Sequence, residues 1–350
     1  LLNVPRVSSV GIRCRTASPA IGRAEGNRGR HQAVFSTFFR SLPAPEKNDN
    51  AFIWKHKLTG DMFIDAYNPF ALANVPADWS WLDTTKVNMG PYFRRRGLVF
   101  VDGKPLEPAE QYRELVNPPM SRQRSGLPSR TVNGPIMQEI GGSPDRKYSV
   151  DYNGNLINIR LSSNNLGSST VEITTREQAF APREAGLGYI RVKGIIFQHA
   201  GNGFPPPQLG LVSTSGGHHW IIEGNTIEWA NGVGLDIGNQ YWGGARVPMA
   251  GQSHIIRGNT IRYAGIEGVA GMGTQNTLVE DNLIEWVGWQ NAERAWEAAG
   301  AKFHRATNML FRHNVVRHIR HANGLWLDVG NTNNRITGNV FADIETVSAA

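Results

Sequence analysis

Residues 221–227 read Ile-Ile-Glu-Gly-Asn-Thr-Ile: an apolar pair, two further residues, an asparagine and then the next strand-like stretch. The same pattern returns at residues 255–261, 278–284, 310–316 and 335–341. Successive asparagines are 23 to 34 residues apart, and an earlier copy at residues 190–197 has Gly194 in place of the asparagine. Repeats of this length with strand-like units are typical of solenoids.

The position of the asparagine indicates which solenoid this is. Asparagine tolerates left-handed backbone conformations, and its side-chain amide can bond to the next asparagine along a stack. The spaced leucines of leucine-rich repeats, the rival solenoid, are missing. We therefore predict an all-β chain built on a right-handed parallel β-helix, with coils about 4.8 Å apart.

Three regions follow from the pattern. Residues 188–350 carry the repeats and are expected to form the β-helix, truncated at its C-terminal end. Residues 46–187 predict a β-rich and irregular region, either N-terminal or inserted, with a hairpin around Asp102-Gly103. Residues 1–45 contain seven arginines and one acidic residue, with little apolar content, and predict a disordered basic segment.

Charge and composition limit the function classes. The 350 residues carry a formal charge of +7, but residues 1–45 contribute +6 of it. The rest of the chain is nearly neutral, which argues against a nucleic-acid partner. No apolar run is long enough for a transmembrane helix, so no membrane partner is expected. The single cysteine, Cys14, excludes internal disulfides and cysteine-based zinc sites.

Ionisable residues cluster in the glycine-rich strands that follow the asparagines, at residues 232–238, 266–273, 298–304 and 324–330. Alignment of the glycines at the ends of these strands predicts one column of Asp236, Gly271, Lys302 and Asp328. Because residues two apart share a face of a strand, Trp326 and His304 are expected on the same outward face, with glycines leaving room around them. The alternating apolar residues are predicted to point into the core: Leu235, Ile237, Phe303, Leu327 and Val329.

Two motifs in this region carry a family resemblance: Glu297-Ala-Ala-Gly300-Ala-Lys302-Phe-His304, followed by Gly324-Leu-Trp-Leu-Asp328. They resemble the motifs E-T-A-G-I-K-x-H and G-I-W-L-D-W of pectin-lyase-like β-helix glycoside hydrolases, most closely the β-xylosidases of glycoside hydrolase family 120. The resemblance implies that Asp328 is the nucleophile of a retaining mechanism and that Glu297 and Lys302 contact the sugar. It also implies an oligosaccharide or polysaccharide substrate and a secreted or periplasmic location.

Elementary chemistry agrees with these roles. A lysine one coil away keeps a nucleophilic carboxylate ionised, and the Trp326 ring offers an apolar face to a pyranose. His304 and Asp236 are further substrate-binding candidates, and no metal or cofactor is expected. The resemblance departs from the family at Val329, where the family has tryptophan.

A second carboxyl group is needed in a retaining mechanism, about 5 Å from the nucleophile. In the family it belongs to a glutamate in the coil after the nucleophile, and here that position falls just past Ala350. The chain is therefore predicted to be a fragment that is inactive alone. Two other functions remain open: a uronate lyase with Lys302 as the base, and a carbohydrate-binding solenoid without catalysis.

Overall fold

A computed structural model of the chain describes residues 22–25, 30–32, 34–37, 46–48, 51–75, 93–117, 146–162, 169–240, 250–290, 292 and 297–345. The chain divides into two units, one of residues 34–177 and one of residues 1–33 with 178–350. The boundary expected at residue 188 thus lies ten residues earlier. The physical reason is that the backbone N–H groups of Ala179 and Phe180 already donate to the carbonyl oxygen of Leu211 within the solenoid.

Three parallel sheets form the solenoid unit. The first sheet contains Gly22–Glu25, Ile190–Lys193, Ile221–Glu223, Ile255–Arg257, Leu278–Glu280, Leu310–Arg312 and Arg335–Thr337. The second contains Arg30–Gln32, Ile196–Ala200, Thr226–Ala230, Thr260–Ala264, Leu283–Val287, Val315–Ile319 and Val340–Ile344. The third contains Gly210–Ser213, Val233–Asp236, Glu267–Met272, Ala299–His304 and Asn323–Leu327.

Successive coils contribute one strand to each sheet in turn, except that the third sheet has five described strands and the other two have seven each. This unit is therefore a parallel β-helix, as predicted. Ile222 pairs with Ile256, and Ile256 pairs with Val279, one coil after another. These side chains are fully buried, as are Ile261 and Ile284 of the second sheet. The apolar pairs of the repeat therefore build the core between the sheets.

A ladder of buried asparagines runs between the first and second sheets. The side-chain amide of Asn259 donates to Oδ1 of Asn282 at 3.0 Å, and that of Asn282 donates to Oδ1 of Asn314 at 3.0 Å. This confirms the predicted contact between successive asparagines. The left-handed residue of the bend is instead the one before the asparagine, as at Gly258 and Asp281.

In the earliest copy of the repeat, the asparagine position is held by Ile195 and not by Gly194 as predicted. Gly194 occupies the left-handed position, and Ile195 occupies the asparagine position, where its N–H donates to Oδ1 of Asn225 at 3.0 Å. The physical reason is that the left-handed conformation favours glycine, whereas the next position faces the ladder.

Three strands lie within residues 1–45, where disorder was expected. Gly22–Glu25 pairs in parallel with Ile190–Lys193, and Arg30–Gln32 pairs in parallel with the strand that starts at Ile196. Val34–Thr37 is antiparallel to Val171–Thr174, and both strands belong to the unit of residues 34–177. Backbone pairing to a neighbouring strand thus replaces disorder at these residues. The rest of residues 1–45 lies outside the described residues, and its disorder stays a prediction.

The unit of residues 34–177 contains two sheets, which are mostly antiparallel. One contains Glu46–Asn48, Ala51–Lys57, Leu156–Leu161, Lys147–Val150 and Glu107–Pro108; the other contains Val34–Thr37, Val171–Thr174, Val99–Val101 and Lys104–Pro105. The last two of these strands form the predicted hairpin at Asp102-Gly103. Short helices occupy Gly60–Met62, Ile64–Ala66 and Arg113–Val116. In the part of the chain that is described, no helix has the length and apolar character to span a membrane.

Candidate functional site

The hydrogen-bond register of the third sheet corrects the predicted column. Asp236 pairs with Ala270, Ala270 pairs with Lys302, and Lys302 pairs with Trp326. Asp328 instead follows Leu327, the partner of Phe303, which places Asp328 beside His304. The alignment was therefore wrong by one residue at Gly271 and by two at Asp328.

Glycines earlier in these strands explain the observed register. In four neighbouring strands a glycine directly follows a residue that pairs along the sheet, so the glycines are in register with one another. They are Gly234, Gly268, Gly300 and Gly324. A Cβ atom at Gly268 would lie 2.7 Å from a methyl group of Ile284, and the strands pack this closely in the core. These glycines therefore face inward and fix the register, rather than making room on the outer face as predicted.

The ionisable side chains lie on the outer face, although Gly300 is only two residues before Lys302. The strict alternation of faces is interrupted between Gly300 and Phe303, because a Cβ atom at Gly300 would contact Val316 and Ile319 and the Phe303 ring packs against Phe311, so both residues face the core. Phe303 is fully buried and packs edge-on against Phe311 of the first sheet, so Lys302 and His304 on either side of it point outward. Leu235 and Ile237 are buried as predicted. Leu327 and Val329 are 38% and 59% exposed, contrary to the prediction, because the described third sheet ends with their strand.

Four side chains from two neighbouring coils meet at the outer face. Nζ of Lys302 lies 2.8 Å from Oε2 of Glu297 and 3.2 Å from Oδ2 of Asp328. Nε2 of His304 lies 3.1 Å from the same Glu297 oxygen, and Nδ1 of His304 lies 3.4 Å from Oδ2 of Asp328. We call Glu297, Lys302, His304 and Asp328 the charged cluster.

Trp326 completes the surroundings of the lysine. Nζ of Lys302 lies 3.5 Å from the centroid of the Trp326 ring, which is a cation–π contact. The pairing of these residues on adjacent strands produces this contact. One face of the ring is therefore occupied by the lysine.

Burial separates Asp328 from the other members of the charged cluster. The side chains of Lys302 and His304 are 0% exposed and that of Glu297 is 8% exposed, whereas that of Asp328 is 23% exposed. A buried charge requires oppositely charged partners, which the two carboxylates provide for Lys302. Asp328 is therefore the member of the cluster that a ligand reaches most easily.

Glu297 has an unusual backbone as well as a perturbed carboxyl group. Its φ of 48° lies in the left-handed region, which is costly for a residue with a side chain. Burial alone would raise the pKa of Glu297, but its hydrogen bond from His304 and its contact with Lys302 outweigh burial and lower it. Glu297 is thus held as an anion between its two cationic or polar neighbours.

The geometry also bears on metal binding. One ligand atom each from Glu297, His304 and Asp328 lies within 4.8 Å of the others, a spacing that a metal ion can bridge. The ammonium group of Lys302 contacts both carboxylates of this trio. A positive charge is therefore already supplied by the protein, and a cation in the same place would be repelled by it.

Asp236 shares the column of Lys302 but has its own partners. It is fully buried, accepts a hydrogen bond from Oγ of Ser213 at 2.7 Å and another from the N–H of Gly238 at 3.1 Å. Burial raises the pKa of Asp236 to about 7, although these hydrogen bonds oppose the shift. Its carboxyl group is therefore already hydrogen-bonded within the solenoid, to Ser213 and Gly238.

Glu267 is an ionisable residue at this face that the sequence analysis missed. It begins its strand, pairs with Ala299 and is fully buried. Burial, and then the nearby Glu297, raise the pKa of Glu267 well above its ordinary value. Its position in the sequence could have indicated it, because Glu267 begins one of the glycine-rich strands that carry the other ionisable residues.

Comparisons with known proteins define the class. Residues 210–349 match the family model described as "Right handed beta helix region". The solved complex of XylC with xylose is similar over 91% of this chain and 53% of the XylC chain, with a TM-score of 0.70 and 23% identity. The chain is therefore a right-handed parallel β-helix protein, as predicted, and spans about half the length of the XylC chain.

Two further solved structures are more distant. They are the A-modules of the mannuronan C-5 epimerases AlgE4 and AlgE6 of Azotobacter vinelandii. AlgE4 is 15% identical, covering 48% of this chain and 50% of its own, with a TM-score of 0.35. AlgE6 is 12% identical, covering 46% and 42%, with a TM-score of 0.32. Among curated proteins, none matches this sequence.

Proposed function

We propose that the protein is a retaining glycoside hydrolase of the β-xylosidase type, with Asp328 as its nucleophile. The observation that carries the proposal is the charged cluster, in which the most exposed carboxylate lies 3.2 Å from a buried ammonium group. A nucleophilic carboxylate has to be ionised and accessible at the same time. The Lys302 ammonium group gives the Asp328 carboxylate a partner of opposite charge, and the 23% exposure of Asp328 supports access.

The reaction follows from these positions. An oxygen of the Asp328 carboxylate attacks the anomeric carbon, the bond from that carbon to the leaving oxygen breaks, and a covalent glycosyl-enzyme forms. A second carboxyl group protonates the leaving oxygen and later takes a proton from the water that releases the sugar. The family resemblance assigns this role to a glutamate of the coil after the nucleophile.

The remaining residues bind and orient the substrate. Glu297 and Lys302 are proposed to contact sugar hydroxyl groups. His304 is proposed to orient both carboxylates, since its Nε2 lies 3.1 Å from Oε2 of Glu297 and its Nδ1 lies 3.4 Å from Oδ2 of Asp328. The ring face of Trp326 away from Lys302 is proposed to pack against the sugar ring. Asp236 lies two coils from the lysine in the same column, and its buried, hydrogen-bonded carboxyl group is proposed to support the sheet beneath the substrate rather than to contact the sugar. The xylose bound in the similar XylC structure supports a xylose-containing oligosaccharide or polysaccharide as the substrate class.

A covalent trapping experiment tests the nucleophile in this chain. The probe is a dinitrophenyl xyloside with fluorine in place of the hydroxyl beside the anomeric carbon. Its leaving group departs as dinitrophenolate without protonation, so labelling does not depend on a general acid, and the fluorine slows release of the sugar. We expect one fluoroxylosyl group on the peptide that contains Asp328, measured by mass spectrometry.

The matched control is an exposed acid of the same solenoid. D328N should carry no label, whereas D281N should be labelled like the unmodified chain because the Asp281 side chain is 61% exposed and lies outside the cluster. If D328N were labelled at the same rate as the unmodified chain, Asp328 would be ruled out as the nucleophile. Unsaturated products from a polyuronate would favour the lyase, and glycan binding without any label would favour the binding solenoid.

A further inference from the structure

Glu267 is a buried acid that the proposed mechanism does not use. It follows Ile266 and precedes Gly268, which faces the core, so the Glu267 side chain lies on the outer face with the charged cluster. Its side chain is fully buried. Among the described residues, neither carboxyl oxygen of Glu267 has a hydrogen-bond partner.

The groups beside Glu267 are mostly acidic. Along the sheet it pairs with Val233 and Ala299, which offer no side-chain donor. The charged groups that act on it are Glu297, Lys302, Asp236 and Asp328, in that order. Three of these four are acids, and the one cation is already paired with Glu297 and Asp328.

An ionised Glu267 would disturb the cluster through Glu297. Glu297 holds Nζ of Lys302 at 2.8 Å and Nε2 of His304 at 3.1 Å. A second unsolvated carboxylate beside Glu297 would repel it, because like charges in a buried site cannot both be ionised without a large cost. A neutral Glu267 removes this repulsion.

We propose that Glu267 is a positioning residue, kept as a neutral carboxylic acid so that Glu297 remains the anion that holds Lys302 and His304 in place. When Glu267 loses its proton, its charge repels Glu297, and the contacts of Glu297 with Lys302 and His304 weaken. The role in ligand binding rests on the proposed function of the charged cluster, whereas the protonation of Glu267 does not.

Stability against pH tests the protonation. A buried acid with a raised pKa destabilises the folded chain progressively as pH rises above its ordinary value, and glutamine cannot ionise. Urea unfolding of the chain and of E267Q, at about pH 5 and about pH 9, should therefore diverge. From the lower to the higher pH, we expect the ratio of the parent's unfolding constant to that of E267Q to rise at least about tenfold.

The matched control is E223Q. Burial alone would raise the pKa of Glu223, but hydrogen bonds from Arg191 and Arg257 lower it to about 2. Glu223 is thus ionised and stabilising throughout this range, so E223Q should be less stable than the parent by the same factor at both pH values. Parallel pH dependences of E267Q and the parent would overturn the proposal.

Two more measurements keep the test decisive. If E267Q does not fold, infrared spectroscopy of D236N should still show a protonated carboxyl band at neutral pH; its absence would overturn the proposal. D236N is used because Asp236 itself has a pKa of about 7.

Xylose affinity should fall with rising pH in the parent but not in E267Q, and equal falls in both would contradict the positioning role. Failure of every variant to bind xylose at any pH would count against the proposed function, while unfolding still decides the state of Glu267.

Discussion

Lys302 shows how a single residue organises the site. Its ammonium group is fully buried, contacts two carboxylates and lies over the Trp326 ring. A lysine without such neighbours would not be buried, because the charge would lose its hydration. The cluster is thus a mutually dependent set in which each charge permits the burial of the others.

Replacement of Lys302 by methionine should destabilise the chain. The substitution keeps the volume roughly constant but leaves the Glu297 carboxylate, 8% exposed, without its cation. Removal of one partner from a buried pair costs about 3–5 kcal/mol. Urea unfolding at neutral pH measures this loss.

The double variant of Lys302→Met and Glu297→Gln checks the cause. Since the second substitution removes the uncompensated anion, it should recover part of the stability lost in the single variant. An additive loss in the double variant would show that the charge interaction is not responsible.

The repeated segments showed which residues share a face, but not which ones touch. Motifs drew attention to Glu297, Lys302, His304, Trp326 and Asp328, and the structure brings these five together. Glu267 escaped notice because nothing in its local sequence signals burial without a partner. That property depends on neighbours one and two coils away.

The asparagine ladder is the feature that joins the elements along the first bend. Asn282 receives hydrogen bonds at Oδ1 from the backbone and side chain of Asn259, and donates through Nδ2 to Ile256 and Asn314. All of these groups are buried. The ladder therefore satisfies backbone groups that the bend leaves outside the sheets.

Removal of one rung should cost more in the middle of the ladder than at its last rung. Asn282→Ala removes the side-chain acceptor of the buried Asn259 backbone N–H, and one unsatisfied group of this kind costs about 1–3 kcal/mol. Asn339 is only half-buried, so Asn339→Ala should cost clearly less. Urea unfolding of the two variants compares them, and equal losses would show that burial of the ladder does not set its contribution.

On the scale of the whole molecule, the solenoid contacts are mostly between adjacent coils. Strands pair with their counterparts one coil away in all three sheets. In such an architecture, stability is approximately a sum over neighbouring coils, and a coil with fewer buried side chains opens more readily. Ile256 and Ile284 are fully buried, whereas Ile336 and Phe341 are exposed.

Hydrogen exchange should therefore vary along the solenoid. Amides of the strands Ile255–Arg257 and Leu283–Val287 are expected to exchange at least about tenfold more slowly than those of Arg335–Thr337, because opening the central coils breaks more contacts. Mass spectrometry of exchanged peptides measures the difference. Uniform protection across these strands would indicate that the solenoid opens as one unit.

The sequence by itself determined the solenoid and its period, because an inward apolar pair and a buried asparagine must recur in every coil. It also indicated the residues of the charged cluster, since their motifs are local. Only the tertiary structure decided the register of the third sheet, because inward glycines at Gly268 and Gly300 set it and their requirement arises from core side chains on other strands. For the same reason it alone decided that Asp328 lies beside His304 and that Glu267 lies buried among acids, since parallel pairing joins residues that are 24 or more positions apart in the chain.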